Sequence, residues 1–445
     1  MTAEATSAAR RASASSYLGT AIEWYDFFIF STAAALVFGE AFFPAADPTT
    51  RTLLSFATLG IGFVARPIGG VVAGHLGDRI GRKATLVLTL SVMGVSTAAI
   101  GVLPTYDQAG LLAPVLLVVL RLLQGFSAGG EWAGAALMAV EHSPRNSRGL
   151  WGSVVQSGTP TGLIVATLVF LAVQLGVGSE AFVAWGWRVP FLLSVVLLGV
   201  AMYIRLKVSE SPVFAAMRAQ TRVVESPLLR VLRDHRKQVL ITALTFAGCN
   251  AIGYVFLSFL LSYGTGALGL GRDLMLMLSL AGAVTWCAAN LAGGVLADRI
   301  GRRRTYIIGY VLFVAWAFPF FALIDTRSPG LMALAVVVLC AAIGLTFGPQ
   351  CALYAESFPP GVRYSGASLA TALGALVGGA FAPVIATALF AETSTAYSVS
   401  AYMLLAALVS LGAVLALRES DLARMRAADY PEDVAADAME PAAER

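Results

Sequence analysis

The sequence predicts an all-α polytopic membrane protein, with twelve transmembrane helices in two pseudo-symmetric six-helix bundles. Of its 445 residues, 58% are hydrophobic and only 13% are charged, whereas soluble proteins carry about 25% charged residues. So few charges are not enough to cover the surface of a soluble protein of this size, and a surface that faces lipid removes that need. In addition, one loop motif occurs twice, once in each half of the chain.

Twelve apolar stretches are long enough to cross a bilayer, which takes about 20 residues of helix. Those of the first half are residues 16–39, 52–76, 84–103, 111–140, 151–177 and 187–206. Those of the second half are residues 237–262, 274–297, 305–324, 330–355, 364–390 and 398–417. We therefore divide the chain into an N-terminal tail (1–15), an N-terminal bundle (16–206), a central loop (207–236), a C-terminal bundle (237–418) and a C-terminal tail (419–445).

The distribution of Lys and Arg predicts the orientation in the membrane, because basic residues concentrate in cytosolic loops. If the N-terminus is cytosolic, the outer loops carry few of the 30 basic residues, namely Arg51, Arg188, Arg272 and Arg327. Two others, Arg66 and Arg121, fall within helices. We therefore expect both termini, both tails and the basic central loop to lie in the cytosol.

The repeated motif relates the two halves of the chain. Residues 74–83 are GHLGDRIGRK, and residues 294–303, which begin 220 positions later, are GVLADRIGRR. Each copy follows the second helix of its half. A second pair of sequences agrees with this register, with Glu, Pro and Arg at 141, 144 and 148 and again at 356, 359 and 363. Two similar six-helix halves around a basic loop are typical of secondary transporters.

These motifs resemble those of the major facilitator superfamily, and the resemblance covers nearly the whole chain. Other stretches resemble its metabolite:proton symporters, which include carriers for shikimate, 2-oxoglutarate, citrate, and proline with betaine. They are GTAIEWYDFFIF (19–30), GFVARPIGG (62–70), RLLQGFSAGGEWAGAAL (121–137), WGWRVPF (185–191) and ESPVF (210–214). The resemblance implies a major facilitator fold in a bacterial-type inner membrane, and proton-coupled uptake of a small organic acid or related metabolite by alternating access.

Five ionisable residues fall inside the predicted helices of the first half: Glu23, Asp26, Arg66, Arg121 and Glu131. Such residues cost about 2.5–3.5 kcal/mol each in a bilayer and usually mark a transport pathway or a proton relay. A helical rise of about 1.5 Å per residue places Asp26, Arg66 and Glu131 at similar depth and Arg121 somewhat closer to the outer side, so these charges can meet around one central cavity. We predict that Asp26 carries the proton, with Glu131 and Glu23 as alternatives. We expect Arg121 to modulate that acid or to bind a carboxylate, a role that Arg66 shares. Simple charge pairing that fixes helix packing is the other possibility.

The predicted helices of the second half contain uncharged polar residues in place of charges. We expect these residues, with two from the first half, to bind the substrate: Tyr25, Gln156, Asn250, Tyr254, Asn290, Gln350 and Tyr354. The first half would thus hold the charges, and the second half would supply hydrogen bonds and aromatic walls.

The resemblance further implies that the loop motifs form charge networks that close the cytosolic side. In the first half these residues are Asp78, Arg79, Arg82, Glu141 and Arg148. Their counterparts are Asp298, Arg299, Arg302, Glu356 and Arg363. The alternative is a turn that only sets topology through its positive charge.

Other functions remain as alternatives: an efflux antiporter or an uncoupled facilitator of a small metabolite, and a substrate sensor with a transporter-like fold. A membrane enzyme is not expected, because no HExxH motif, nucleophile elbow or Cys/His cluster occurs. We expect no cofactor and no metal, with the proton gradient as the source of energy. The expected partners are the organic acid, protons and the lipid bilayer, without nucleic acid, and the expected oligomeric state is a monomer.

Overall fold

The computed structural model describes residues 3–417, apart from residues 81, 131–133, 135, 138, 141–142, 144, 208–226 and 360–361. Within this part, every regular element is a helix. In these described ranges, nine helices are long and apolar enough to cross a bilayer, and three shorter apolar helices lie between them in sequence. These observations confirm the prediction of an all-α fold with twelve membrane helices.

The twelve helices are numbered α1 to α12 in chain order. In the first half they are α1 (Ser16–Phe42), α2 (Pro48–Gly70), α3 (Val87–Gly101), α4 (Leu112–Ser127), α5 (Arg148–Gly186) and α6 (Arg188–Val200). In the second half they are α7 (Arg236–Ala267), α8 (Arg272–Ile300), α9 (Arg302–Ile324), α10 (Pro329–Ala355), α11 (Arg363–Thr393) and α12 (Tyr397–Ala416). Each corresponds to one of the predicted apolar stretches.

Some helices continue beyond the apolar stretch that the sequence marks. The first helix begins at Ala3, so it includes most of the segment expected to be a tail. That segment contains many alanines, which favour helix even where no apolar face requires one. A further helix, Pro227–Asp234, lies within the predicted central loop. The rest of that loop up to residue 226 and the C-terminal tail lie outside the described residues.

The loop before α2 fixes where that helix begins. Asp47 precedes Pro48, and its Oδ1 accepts hydrogen bonds from the backbone N–H groups of Thr49 and Thr50, each at 3.1 Å. Hydrogen bonds from the side chain and backbone of Thr50, and from the backbone of Thr49, lower the pKa of the Asp47 carboxyl. Proline is favoured at the first helical position because it has no N–H to satisfy. The cap therefore sets the register of α2, which carries Arg66.

Glycines bring α2 and α4 into backbone contact. A Cβ atom on Gly125 would lie 2.0 Å from the carbonyl oxygen of Gly62, and one on Gly69 would lie 1.7 Å from that of Phe126. Small residues permit such close helix approach in membranes. A Cβ atom on Gly62 would lie 2.7 Å from Nε of Arg121, so the same contact also sets the space available to this guanidinium.

Candidate functional site

Asp26 on α1 is buried within the first half, with 5% of its surface exposed. The hydroxyl of Thr97, on α3, donates a hydrogen bond to its Oδ2 at 3.0 Å. Its Oδ1 is also buried and has no hydrogen-bond partner among the described residues. A buried carboxyl oxygen without a donor favours a group that exists at times in its protonated form, because an ionised carboxylate needs donors when it is removed from water.

Arg121 on α4 is fully buried and is joined to Asp26 by two intermediate side chains. Its Nη1 donates to Oε1 of Gln124 at 3.1 Å, and Nε2 of Gln124 donates to Oγ1 of Thr97 at 2.7 Å. The Asp26 carboxyl is next in this series of hydrogen bonds. Nε and Nη2 of Arg121 have no hydrogen-bond partner in the described part of the chain, so two charged donors remain available to a ligand.

Two guanidinium groups lie close to the ring of Phe27. The Cζ atom of Arg66 is 4.1 Å from the centre of this ring, and that of Arg121 is 4.5 Å away. Both distances are within the range of about 6 Å for cation–π attraction. Arg66 also lies 4.0 Å from a carboxyl oxygen of Glu23, measured from Nη2. The ring therefore attracts both positive charges, and Glu23 offsets part of the charge of Arg66.

A small cavity lies between the two halves, beside this group of charges. Its walls come from α1, α7, α8 and α10 and consist of Trp24, Phe28, Cys249, Asn250, Gly253, Tyr254, Leu257, Trp286, Ile343 and Phe347. Aromatic contacts cross between the halves at this level, with Phe28 against Trp286 at 6.4 Å and Phe63 against Tyr254 at 5.2 Å between ring centres. The guanidinium groups of Arg66 and Arg121 both lie within electrostatic range of the Tyr254 hydroxyl.

The polar atoms without partners around this cavity are mostly hydrogen-bond donors. In the described structure the indole Nε1 atoms of Trp24 and Trp286 and the hydroxyl of Tyr254 have no partner. Nε and Nη2 of Arg66 and of Arg121 likewise have no hydrogen-bond acceptor among the described residues. Indole and guanidinium nitrogens can only donate, so the arrangement fits a ligand rich in acceptor oxygens, and the guanidinium groups favour a negative charge.

The other predicted binding residues are distributed around and below the cavity. Asn250 lines it and donates from Nδ2 to the carbonyl oxygen of Ala375 at 3.3 Å. The Tyr25 hydroxyl instead donates to the carbonyl oxygen of Pro190 at 2.8 Å, within the first half. Tyr354 donates to the carbonyl oxygen of Thr242 at 2.9 Å, within the second half. Tyr25 and Tyr354 therefore join helices of the same bundle and are not among the cavity residues.

Gln156, Gln350 and Asn290 connect the two halves on the side predicted to be cytosolic. Nε2 of Gln156 donates to Oε1 of Gln350 at 2.8 Å. Nδ2 of Asn290 donates to Oγ of Ser157 at 3.2 Å. Gly294 on α8 packs against Ser153 on α5, where an added Cβ atom would lie 2.2 Å from Oγ of the serine. These contacts close the space beneath the cavity.

Asp298, from the second copy of the loop motif, binds the beginning of α5 in the first half. Its two carboxylate oxygens accept hydrogen bonds from the backbone N–H groups of Gly149 and Leu150, both at 2.8 Å. Within its own half, Asp298 lies 3.1 Å from Nη2 of Arg302, whose Nε lies 3.3 Å from Glu356. The first N–H groups of a helix lack partners inside it and carry partial positive charge, so this carboxylate caps a helix of the opposite half.

The remaining predicted gate residues of the second half lie near this contact. Arg299 is exposed, whereas Arg363 is buried and donates from Nε to the carbonyl oxygen of Phe358 at 3.3 Å. In the first half, Arg148 is buried at the start of α5. Glu131 and Glu141 lie outside the described residues, as do the side chains of Asp78, Arg79 and Arg82.

The halves also meet on the opposite side of the cavity. The hydroxyls of Ser31 on α1 and Ser258 on α7 are 2.7 Å apart. Just beyond Ser31, α1 contains a π-helical turn at Ala34–Phe38, and α7 contains one at Val255–Phe259. These turns occupy matching positions in the two halves. A Cβ atom on Gly60 would lie 2.5 Å from the carbonyl oxygen of Ala380 on α11. Helix contacts thus occur both above and below the cavity.

Sequence reasoning did not identify Thr97, Gln124, Trp24 or Phe27 as parts of the site. Thr97 and Gln124 are uncharged, so inside an apolar stretch they resemble the many hydroxyl and amide groups that bond to their own helix. Trp24 and Phe27 contribute to hydropathy like any core aromatic. The one available signal was their position beside Glu23 and Asp26 on α1.

Comparisons with known proteins agree with this arrangement. The sequence model of the Major Facilitator Superfamily matches two overlapping segments of the chain, residues 16–383 and residues 287–432. The inner membrane metabolite transport protein YhjE of Escherichia coli (strain K12) is 41% identical over 376 residues, which cover 83% of this chain and 86% of that protein. The shikimate transporter of the same strain is 38% identical over 422 residues, which cover 94% of this chain and 96% of that protein.

A solved structure with a similar fold is the xylose transporter XylE from E. coli, in a partially occluded inward open conformation. It matches with a TM-score of 0.72 at 17% sequence identity, over 92% of this chain and 97% of that chain. At that level of identity the likeness concerns the fold alone.

Proposed function

We propose that this chain, which belongs to the major facilitator superfamily, is a proton-coupled symporter that imports a small organic acid. The membrane helices and the curated relatives agree with a metabolite transporter of the inner membrane. The shikimate transporter described above carries a carboxylic acid, and the chain covers 96% of that protein. Coupling to protons and the inward direction belong to the proposal.

The observation that carries the proposal is the set of unpartnered donors around the cavity. Two indole N–H groups and one phenol on the cavity wall have no hydrogen-bond partner among the described residues. Beside them, Arg66 and Arg121 each have two guanidinium nitrogens, Nε and Nη2, without a hydrogen-bond acceptor among those residues. An arginine can bond both oxygens of a carboxylate at once, which gives both affinity and orientation. Stacking on Phe27 holds the guanidiniums without neutralising them. A ring or chain that bears hydroxyl groups would satisfy the indole and phenol donors.

The second component is a buried acid that does not directly touch the cavity. Asp26 is linked to Arg121 through Thr97 and Gln124, so the state of the arginine affects the acid. When an anion neutralises Arg121, the environment of Asp26 becomes less favourable to negative charge and the carboxyl gains a proton. Binding of an anionic substrate and binding of a proton therefore favour each other, as symport requires.

The contacts above and below the cavity supply the two closures that alternating access needs. On the side predicted to be cytosolic, Asp298 holds the beginning of α5, and Gln156 bonds to Gln350. On the opposite side, Ser31 meets Ser258. We assign the Asp298 contact the role of a latch that stabilises the conformation closed to the cytosol, with Arg302 and Glu356 as its support.

The test of this function is proton uptake induced by substrate. Cells that express the protein are suspended in weak buffer with a pH electrode, and shikimate is added first, then 2-oxoglutarate, citrate, aromatic acids and betaine. We expect alkalinisation of the medium with at least one acid, and none in cells that carry the empty vector or the Asp26→Asn variant. Betaine, which has no net charge, tests the requirement for an anion.

Three results would contradict parts of the proposal. If none of these compounds changes the pH of the medium although the protein is shown to be in the membrane, the result would argue against proton-coupled uptake of these acids. Uptake of a labelled acid without alkalinisation would indicate a facilitator. A response to betaine alone would overturn the assignment of an acidic substrate.

A further inference from the structure

We propose that Thr97 and Gln124 form a hydrogen-bond relay through which Asp26 senses whether Arg121 is engaged by the substrate. The proposal rests on the proposed function, because it requires Asp26 to bind and release a proton during transport. Both side chains are buried, at 0% exposure for Thr97 and 1% for Gln124. Neither contacts the cavity directly, so they act as positioning residues between the acid and the arginine.

The orientation of the Gln124 amide follows from its partners. Arginine only donates hydrogen bonds, so the atom that faces Nη1 of Arg121 at 3.1 Å must be the amide oxygen. The amide nitrogen is then directed to Oγ1 of Thr97, at 2.7 Å. As long as Arg121 holds the oxygen, Gln124 can present only a donor to Thr97.

The Thr97 hydroxyl has one hydrogen and two lone pairs. One lone pair accepts from Gln124. The hydrogen has two acceptors in reach, Oδ2 of Asp26 at 3.0 Å and the carbonyl oxygen of Met93 at 2.9 Å. When Asp26 is ionised, the hydrogen is directed to Asp26, because a hydrogen bond to a charged acceptor is stronger. When Asp26 is protonated, its O–H donates to the second lone pair, and the threonine hydrogen turns to Met93.

Release of Arg121 changes this arrangement. An anion that draws the guanidinium away from Gln124 frees the amide to turn, so that its oxygen faces Thr97 and its nitrogen no longer donates to the threonine hydroxyl. The threonine hydroxyl then loses the donor that polarises it and gains a neutral acceptor. Its hydrogen bond to an ionised Asp26, the one donor that the described structure gives that carboxylate, becomes weaker. The protonated form becomes favoured. The relay therefore links anion binding to proton binding with the sign that symport needs.

Other charges near Asp26 do not replace this connection. Glu23 on the same helix and Arg121 on α4 both act on it electrostatically, and Arg66 on α2 is paired with Glu23. The other helices of the first half that surround α1 have no charged residue at 87–101, 149–179 or 190–202. The hydrogen bond from Thr97 is thus the short-range contact by which the rest of the bundle reaches the carboxyl.

The relay is testable without knowledge of the substrate. The protein is reconstituted in lipid vesicles, and the infrared C=O band of protonated carboxyl groups is followed as a function of pH. The Asp26 band is identified by its loss in Asp26→Asn. We expect Thr97→Val, which keeps the shape but not the hydroxyl, to raise the pH midpoint of this band by about one to two pH units. Thr97→Ala serves as a second variant if the valine variant does not fold.

Two controls separate the relay from a purely structural role. Thr97→Ser keeps the hydroxyl and is expected to retain the wild-type midpoint. Ser96→Ala removes a buried hydroxyl from the neighbouring position and is expected to leave the midpoint unchanged. An unchanged midpoint in both Thr97→Val and Thr97→Ala would overturn the proposal, as would an equal shift in Thr97→Ser.

A double-mutant cycle tests the place of Gln124. We expect Gln124→Met to raise the midpoint by less than Thr97→Val, because it removes the donor that polarises the threonine hydroxyl. In the Thr97→Val background it should add nothing, whereas independent effects would add. Full additivity would overturn the relay. A wild-type protein without a titrating Asp26 band would instead contradict Asp26 as the proton carrier and leave Glu23 and Glu131 as the candidates.

Discussion

Among the described residues, Asp26 is held by a hydroxyl and not by a direct ion pair. We expect Asp26→Asn to abolish accumulation of the substrate against its gradient, because asparagine resembles the protonated acid and cannot release a proton. Exchange of labelled for unlabelled substrate needs no net proton movement and should persist. The measurement is the comparison of active uptake with counterflow in vesicles that contain the purified protein.

The control for this substitution is Glu40→Gln, which also neutralises one acid but at an exposed position near the end of α1. It is expected to leave both uptake and exchange intact. If accumulation persists in the Asp26→Asn protein, the proton carrier is another acid, with Glu23 and Glu131 as the candidates.

At the residue scale, charge was a usable signal in the sequence and neutral polarity was not. Counting residues along the helices placed Asp26 and Arg66 at similar depth and Arg121 somewhat closer to the outer side. The structure brings all three near Phe27 or the series of hydrogen bonds beside it. Thr97 and Gln124 could not be selected in this way. Their role depends on which helix lies opposite, and helix rotation is set by packing that a single sequence does not reveal.

At the scale of elements, the backbone contact between α2 and α4 controls the position of Arg121. We expect Gly125→Ala to lower the free energy of unfolding by about 1–3 kcal/mol, the usual cost of overpacking, since its Cβ atom would lie 2.0 Å from the carbonyl oxygen of Gly62. The measurement is thermal unfolding of the purified protein followed by its intrinsic fluorescence.

Gly199→Ala on α6 is the matched control, because no atom lies within 4 Å of the Cβ atom it would add. There the change from glycine to alanine should be neutral or stabilising by up to about 1 kcal/mol, as expected in a helix. Equal unfolding temperatures for the two variants would show that the α2–α4 contact is looser than the structure indicates.

The bond between Asp298 and the beginning of α5 joins an element of each half. We expect Asp298→Asn to slow transport by about tenfold or more while substrate affinity stays near the wild-type value, because a hydrogen bond to a charged group is worth about 1.5–3 kcal/mol. The variant loses stability only in the conformation in which α5 and α8 meet. Transport rate and equilibrium binding are measured on the same preparation.

A cysteine at position 153 reports directly whether α5 and α8 separate, since Ser153 on α5 packs against Gly294 on α8. In a background without the four native cysteines, Ser153→Cys should react faster with a thiol reagent applied from the cytosolic side when Asp298→Asn is present. Asp273→Asn, at an exposed position at the other end of α8, is the control. Loss of substrate binding in a folded Asp298→Asn protein would contradict the role of a latch.

The number and order of helices were predictable because hydropathy over about 20 residues is a strong signal. The π-helical turns in α1 and α7 and the extension of the first helix to Ala3 were not. A π-helical turn results from packing against a neighbour, and a polar helix end has no hydropathy signal. The π-helical turns lie where α1 and α7 meet, so the sequence of either helix alone is not sufficient to predict them.

At the scale of the whole molecule, the two halves share a fold but differ in chemistry. The first half holds Asp26, Arg66 and Arg121, whereas cavity residues of the second half are uncharged. Because both halves line the cavity, a movement of one against the other changes the surroundings of the charges without requiring the charges themselves to cross the membrane. In the proposed mechanism, the internal repeat supplies the movement, and the divergence of the halves supplies the coupling to protons.

Alternating access has a direction only if the molecule is inserted in one orientation, and the distribution of basic residues predicts that orientation. We expect a fluorescent protein fused after Leu417 to fluoresce, because both termini should be cytosolic. Alkaline phosphatase, which is active only outside the cytosol, should be active when fused after Ser394, between α11 and α12, and inactive after Phe358, between α10 and α11. The reverse pattern would place the Asp298 latch on the outer side, and the proposed order of opening and closing would then be inverted.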